Sequence, residues 1–124
     1  MIVTEREEAM DHLSSIVESN TVGKSWQIQP RVLDWTLIDT YVDLNNFDIV
    51  IGADIIYIED TFADLLQTLV NVAGNSETLV LLSCRIRYKR DKTFLNLLKE
   101  HFEVERRFYD EERKIFIYNV RKKV

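Results

Sequence analysis

Two apolar runs, Phe47 to Ala53 (FDIVIGA) and Thr78 to Cys84 (TLVLLSC), limit what this chain can fold into more than any other feature. Each is short for a helix and too continuous for a strand with one face in water. Such runs are the pattern of strands buried on both faces of a parallel sheet. Between them, from Thr61 to Ala73, the residues Phe62, Leu65, Leu66, Leu69, Val70 and Ala73 recur at helical spacing. Asp60 stands before this stretch as an N-cap, and Gly74 lies just past its end. Strand, helix and strand in that order predict a parallel pair joined by a crossover helix.

The flanking segments continue the alternation. Met1 to Thr4 is a short β-branched run, and Glu5 to about Asn20 carries Met10, Leu13, Ile16 and Val17 at helical spacing. Trp26 to Leu33 reads as a strand, at an edge because of Pro30. Asp91 is placed to cap a helix running through Phe94, Leu95, Leu98 and Phe102. Val104 to Tyr109 and Ile115 to Val120, separated by the charged turn DEERK, predict a β-hairpin. The expected architecture is one α/β sandwich over residues 1–124, with a mostly parallel sheet, helices on both faces and a terminal antiparallel pair.

Composition narrows the class of function. With 16 Lys and Arg against 21 Asp and Glu, the net charge of −5 argues against nucleic acid as a bulk electrostatic partner. A single cysteine excludes an internal disulfide, and with only two histidines little is left for a zinc site. No apolar run approaches the roughly 18 residues that cross a bilayer, and no signal-peptide pattern follows Met1. The expectation is a cytoplasmic domain with neither membrane nor metal as partner.

In a parallel α/β sheet, ligands bind at the carboxyl ends of the strands, near the point where strand order reverses. Glu5 sits at one such end, as a hydrogen-bond acceptor for ribose hydroxyls or as an ordinary first-turn acid. Trp35 follows Asp34 at another, as a flat face for an adenine ring or as a core residue. Ala53, Asp54 and Tyr57 lie in GADIIY, where small residues let a ligand approach the backbone. Asp54 and Tyr57 then present two polar groups to one small volume, or serve as a local cap and an interfacial ring. Cys84 reads as a small buried hydrophobe, and His12 and His101 as incidental helix residues. The basic run Arg85, Arg87, Lys89 and Arg90 is a solvated loop, or a contact for RNA or an acidic protein surface.

Taken together, FDIVIGADIIYIEDTFADLLQTL, LLSCRIRYKRDKTFLNLLKEHF and YDEERKIFIYNV resemble the methyltransferase-like protein 21 family over nearly the whole chain from Val3 to Val120. The resemblance implies a Rossmann-like seven-β-strand fold and S-adenosylmethionine-dependent methylation of protein lysines. It implies a protein substrate, a seventy-kilodalton heat-shock chaperone in the member most alike. By the same resemblance Glu5, Trp35 and Ala53 contact the cofactor, and Asp54 and Tyr57 place the substrate lysine. Two departures stand out: Glu5 where the family commonly has Asp, and Thr36 where it usually has Gly, which is expected to crowd the site slightly.

The resemblance begins at the family's second strand. No glycine-rich E-x-G-x-G loop is present, since Gly23, Gly52 and Gly74 are isolated, and Met1 is expected to be an internal residue of a longer domain. The family's strand order is third, second, first, fourth, fifth, seventh, sixth, so its first strand is central. Without it, two strand edges are expected to be bare. The chain is then expected to keep a gap beside Phe47–Ala53, to close it with its own first strand, or to oligomerise there. Weak binding of S-adenosylmethionine is expected too. The alternative functions are a non-catalytic methyltransferase-like binding or regulatory module and, further off, an RNA-binding domain using Arg85–Arg90.

Overall fold

The computed structural model describes all residues, 1–124. Six strands form two sheets: β1 (Ile2–Glu5) and β2 (Gln29–Val32) in one, β3 (Ile49–Ala53), β4 (Leu79–Cys84), β5 (Phe102–Asp110) and β6 (Ile115–Lys122) in the other. Three α-helices lie between them: α1 (Met10–Thr21), α2 (Phe62–Ala73) and α3 (Lys89–Leu98). The small sheet is a parallel pair, Glu5 standing opposite Val32. The large sheet has the order β3-β4-β6-β5, in which only β3 and β4 are parallel. The expected mostly parallel sheet is therefore corrected: the strands divide into two sheets, and the antiparallel pairings through β6 equal the parallel ones in number. A long hairpin entering next to β4 accounts for this.

The core forms where α2 and α3 lie on one face of the large sheet. Phe62, Leu65 and Leu69 of α2 meet Phe94 and Leu98 of α3 over Val80, Leu82 and Val120. Each such side chain, taken fully out of water, contributes roughly 1.5–3 kcal/mol. Lys122 adds a cap from the far end of the hairpin, its Nζ donating to the carbonyls of Val70 at 3.0 Å and Gly74 at 3.4 Å at the C-terminus of α2. Gly74 stands just past the end of α2, as expected, with φ +67° and ψ −67°, which is not the left-handed helical geometry of the usual glycine stop.

Helices on both faces are not found for the large sheet. Its other face carries Ile49 and Ile51, 55% and 76% exposed, beside half-buried Leu79, Leu81 and Ile117. The two apolar runs are thus not buried on both sides. β4 alternates, with Val80, Leu82 and Cys84 buried and Leu79, Leu81 and Ser83 half-buried. The runs are apolar enough for two covers, and only one is present. α1 packs on the small sheet, where Met10, Leu13 and Val17 are half-buried and Ile16 is exposed.

Local boundaries differ from the sequence expectations in instructive ways. A 3-10 turn over Glu7–Ala9 delays α1 to Met10, and another over Glu59–Thr61 moves the cap position of α2 from Asp60 to Thr61. Asp91 is not the cap of α3 but lies inside its first turn. There its buried carboxylate reaches back to accept the N–H groups of Arg87 at 2.9 Å and Tyr88 at 3.0 Å. Phe102 opens β5 instead of closing α3. The strand expected over Trp26–Leu33 shrinks to Gln29–Val32 and lies at an edge of the small sheet.

β1 pairs only with β2, and β3 only with β4, so the first strand does not close the free edge of β3. A second, small cluster connects the sheets instead: Tyr41, Leu44 and Val72, with Ile2, Leu33, Phe47 and Val50 around them. Asn71 reinforces it, its Nδ2 donating to the carbonyls of Tyr41 at 2.8 Å and Leu44 at 3.2 Å. No helix is long and apolar enough to cross a membrane.

Candidate functional site

The carboxyl ends of β1 and β3 open into a cleft of about 440 Å³. Glu5, Trp35, Ala53, Asp54 and Tyr57 all line it, with Leu33, Thr36 and Ile51 among their neighbours. Five residues singled out at three separate strand ends of the sequence therefore share one space. The volume falls within the about 300–1,000 Å³ that is usual for small-molecule sites.

Each wall has a local cause. Glu5 is the last residue of β1, and its Oε1 accepts the N–H of Arg6 at 3.0 Å. Trp35 is held by the loop between β2 and Asp43. Arg31 of β2 closes that loop, forming a two-pronged ion pair with Asp43 (Nη1–Oδ2 2.9 Å, Nη2–Oδ1 2.5 Å) and also donating to the Thr40 carbonyl at 3.2 Å. This pairing raises the pKa of Arg31 and lowers that of Asp43, the hydrogen bond between them being the larger cause in each. Thr40 Oγ1 accepts the Asp34 N–H at 2.9 Å.

Thr36, expected to crowd the site, does line the cleft, but its polar groups turn to Asp34. Its hydroxyl and its N–H donate to Asp34 Oδ1 at 2.6 Å and 2.9 Å. The hydroxyl bond is the main reason the Asp34 carboxyl titrates below its ordinary value.

On the opposite sheet, Asp54 has φ +55°, a left-handed backbone that is uncommon for a residue other than Gly. Its N–H donates to the Ser83 carbonyl of β4 at 2.9 Å as the last bond of the β3–β4 ladder, and the chain leaves the sheet at this residue. Strained backbone of this kind collects at functional sites. The side chain is 70% exposed, and its nearest cation is Arg87, at 4.0 Å between Nη2 and Oδ1. Tyr57 meets Trp35 edge to face, the ring centroids 6.5 Å apart and the planes at 61°. That contact links the small-sheet wall to the large-sheet wall.

The sequence did not reveal the Arg87–Asp54 pair, since thirty-three residues separate the partners. The single signal was Asp91, four residues after Arg87, which fixes the backbone of that loop. Cys84 is buried as expected, and burial, with the nearby charges of Asp91 and Asp54, pushes its thiol up to about 11. His12 and His101 are exposed and lie outside the cleft.

A cleft at the carboxyl ends of the strands is where an α/β fold of this class binds its ligands. Its fold matches the crystal structure of the PH0226 protein from Pyrococcus horikoshii with a TM-score of 0.68 at 15% identity, covering 99% of this chain and 71% of that one. A family model described as "Lysine methyltransferase" matches residues 1–101, and the chain belongs to that family. It is 41% identical over 125 residues to "Protein N-lysine methyltransferase METTL21A" of Mus musculus, covering 98% of this chain and 56% of that protein. The protein of that name from Danio rerio is 42% identical over 118 residues, 94% of this chain and 53% of its own length. "EEF1A lysine methyltransferase 3" of Mus musculus is 34% identical over 120 residues, 96% and 51%. The chain thus spans about half the length of the curated relatives it matches.

Proposed function

We propose that this chain carries the acceptor-lysine site and the nucleoside-binding site of an S-adenosylmethionine-dependent protein-lysine N-methyltransferase. The observation that carries this reading is the convergence of Glu5, Trp35, Ala53, Asp54 and Tyr57 on one cleft. The donor set suits the nucleoside part of the cofactor. A strand-end carboxylate accepts from ribose hydroxyls, an indole offers a face to adenine, and Ala53 leaves room for the ring system.

When bound, the cofactor supplies an electrophilic methyl group on a sulfonium. The protein's own contribution is mainly position. Bringing a lysine amine into line is worth roughly 7–11 kcal/mol when alignment is good. Asp54 attracts the incoming ammonium, and with the Tyr57 phenol it orients the nitrogen and helps accommodate the proton that must leave before the lone pair can react. A lysine side chain ordinarily holds that proton up to a pH of about 10.4.

A further parallel strand between β1 and β3 is part of this reading. Joined end to end, the orders β2-β1 and β3-β4-β6-β5 reproduce the family's order with one place open, and Thr4, Glu5 and Ile51–Ala53 at that place line the cleft. Exposed Ile49 and Ile51 supply apolar surface for a cover on the same side. The substrate class is a cytoplasmic protein. A seventy-kilodalton heat-shock chaperone and the EEF1A named in one relative are the first two to try.

The test is transfer of a radiolabelled methyl group to those two proteins, by this chain and by a form extended upstream with a glycine-rich strand-and-loop unit. Labelled lysine from the extended form, lost on Asp54→Ala, supports the reading. Absence of transfer by both forms, or transfer indifferent to Asp54→Ala, overturns it. Nothing in the structure favours a non-catalytic role over this one.

A further inference from the structure

The rim of the cleft has a second, positively charged compartment. Asp54, Ser83, Cys84, Arg85, Arg87 and Ile115 line a depression of about 360 Å³ that shares Asp54 with the main cleft. In a chain of net charge −5, four cations fall within six residues here: Arg85, Arg87, Lys89 and Arg90. Arg90 is occupied, its guanidinium lying over the Tyr88 ring at 4.5 Å. Arg85 and Arg87 face the depression.

Their loop is held rigidly for an exposed segment. Buried Asp91 accepts the N–H groups of both Arg87 and Tyr88, so those two backbone donors are already satisfied. An anion arriving beside them meets the arginine side chains. Arg87 is 48% exposed, and its long contact with Asp54, at 4.0 Å, is an exposed pair of the kind that contributes little. Such a pair exchanges partners easily.

We propose that Arg85 and Arg87 form a subsite for a carboxylate flanking the target lysine, so that the substrate is an acidic peptide segment. This rests on the reading of Asp54 as the acceptor of the substrate ammonium. In the free protein Arg87 and Asp54 face each other. A substrate carrying a lysine and a neighbouring Asp or Glu offers the reverse arrangement, its ammonium going to Asp54 and its carboxylate to Arg87. Both charges are then re-paired, and Arg's planar fork suits a carboxylate. RNA fits less well, because it brings no ammonium to neutralise the Asp54 carboxylate that stands in the same depression.

Fluorescence anisotropy on this chain tests the proposal with labelled peptides. One peptide has a lysine between acidic residues, a second has the acids replaced by their amides, and a third keeps the acids but carries norleucine for lysine. Single-stranded RNA serves as a competitor. The acidic lysine peptide is expected to bind about 3- to 10-fold tighter than the amide peptide, with the margin shrinking as salt is added. Arg87→Glu is expected to abolish or reverse that preference, and Arg85→Gln to weaken it. A merely structural role for either arginine would lower all affinities alike. Equal binding of acidic and amide peptides, a preference untouched by Arg87→Glu, or displacement by RNA in preference to peptide each overturns the subsite. The norleucine peptide separates the two readings. If it binds as well as its lysine counterpart while the acidic preference persists, the subsite stands and the role of Asp54 falls. If lysine is required and the acids are not, the reverse holds.

Discussion

Replacing Asp54 by Gly and, separately, by Ala turns the strained strand end into a measurement. At φ +55° a residue with a Cβ is held in the left-handed region, which costs an alanine roughly 1–2 kcal/mol and a glycine almost nothing. Against this, glycine gives the unfolded chain more freedom, a disadvantage of about 0.4–1 kcal/mol. The difference leaves Asp54→Gly more stable than Asp54→Ala by about 0.8 kcal/mol at mid-range, between about 0 and 1.6. Side-chain terms cancel, because the carboxylate is 70% exposed and both variants lose the same distant pair with Arg87. In a domain of this size the gap is about 2–5 °C in Tm, or a matching shift in urea midpoint at constant m. Both variants should also lose affinity for lysine peptides. At ordinary backbone the order is the opposite, with alanine ahead. If Asp54→Ala exceeds Asp54→Gly in urea, the left-handed turn at the end of β3 is refuted, and with it the account of why the carboxylate points into the cleft.

Three further outcomes follow from the geometry. Gly74→Ala places a Cβ against the backbone carbonyl of Asn45 at a left-handed φ, and should cost about 2–4 kcal/mol by denaturant titration. Cys84, buried and with its thiol raised to about 11, should stay unreactive toward a disulfide reagent at neutral pH and label only at the rate of unfolding. Asp34 titrates low in the folded chain because of Thr36, so its contribution to stability is complete above the ordinary carboxylate pKa and fades as pH falls through the lowered folded value. Thr36→Val should move the Asp34 titration, followed by NMR, back toward the ordinary range and shrink that acid limb.

The helices and the hairpin were legible because their signals are local. Phe62, Leu65, Leu69 and Ala73 announce α2 by spacing alone, Gly74 stops it, and DEERK turns the chain between two apolar runs. Sheet topology is less legible, since hydropathy reports what a strand could bury and not what is there to bury it. Ile49 and Ile51 read as core and stand exposed on a face without a helix. Asp91 was visible as a capping acid, but not that its carboxylate would reach back to Arg87 and Tyr88 from within the first turn. The cleft residues were found because ligands gather at strand ends and because their motifs resemble a known family. The backbone strain at Asp54 and its long-range approach to Arg87 left no mark in either spacing or composition.

Glu5 and Trp35 belong to one sheet or its loops, Ala53 and Asp54 to the other, and no ladder of backbone hydrogen bonds spans the seam between them. The wedge of Tyr41, Leu44 and Val72 bridges it deep in the fold, the Asn71 amide ties α2 to that wedge, and the Trp35–Tyr57 contact crosses it at the cleft. A strand entering this place would replace side-chain contacts with backbone pairing on both sides and fix the distance between the two walls of the cleft.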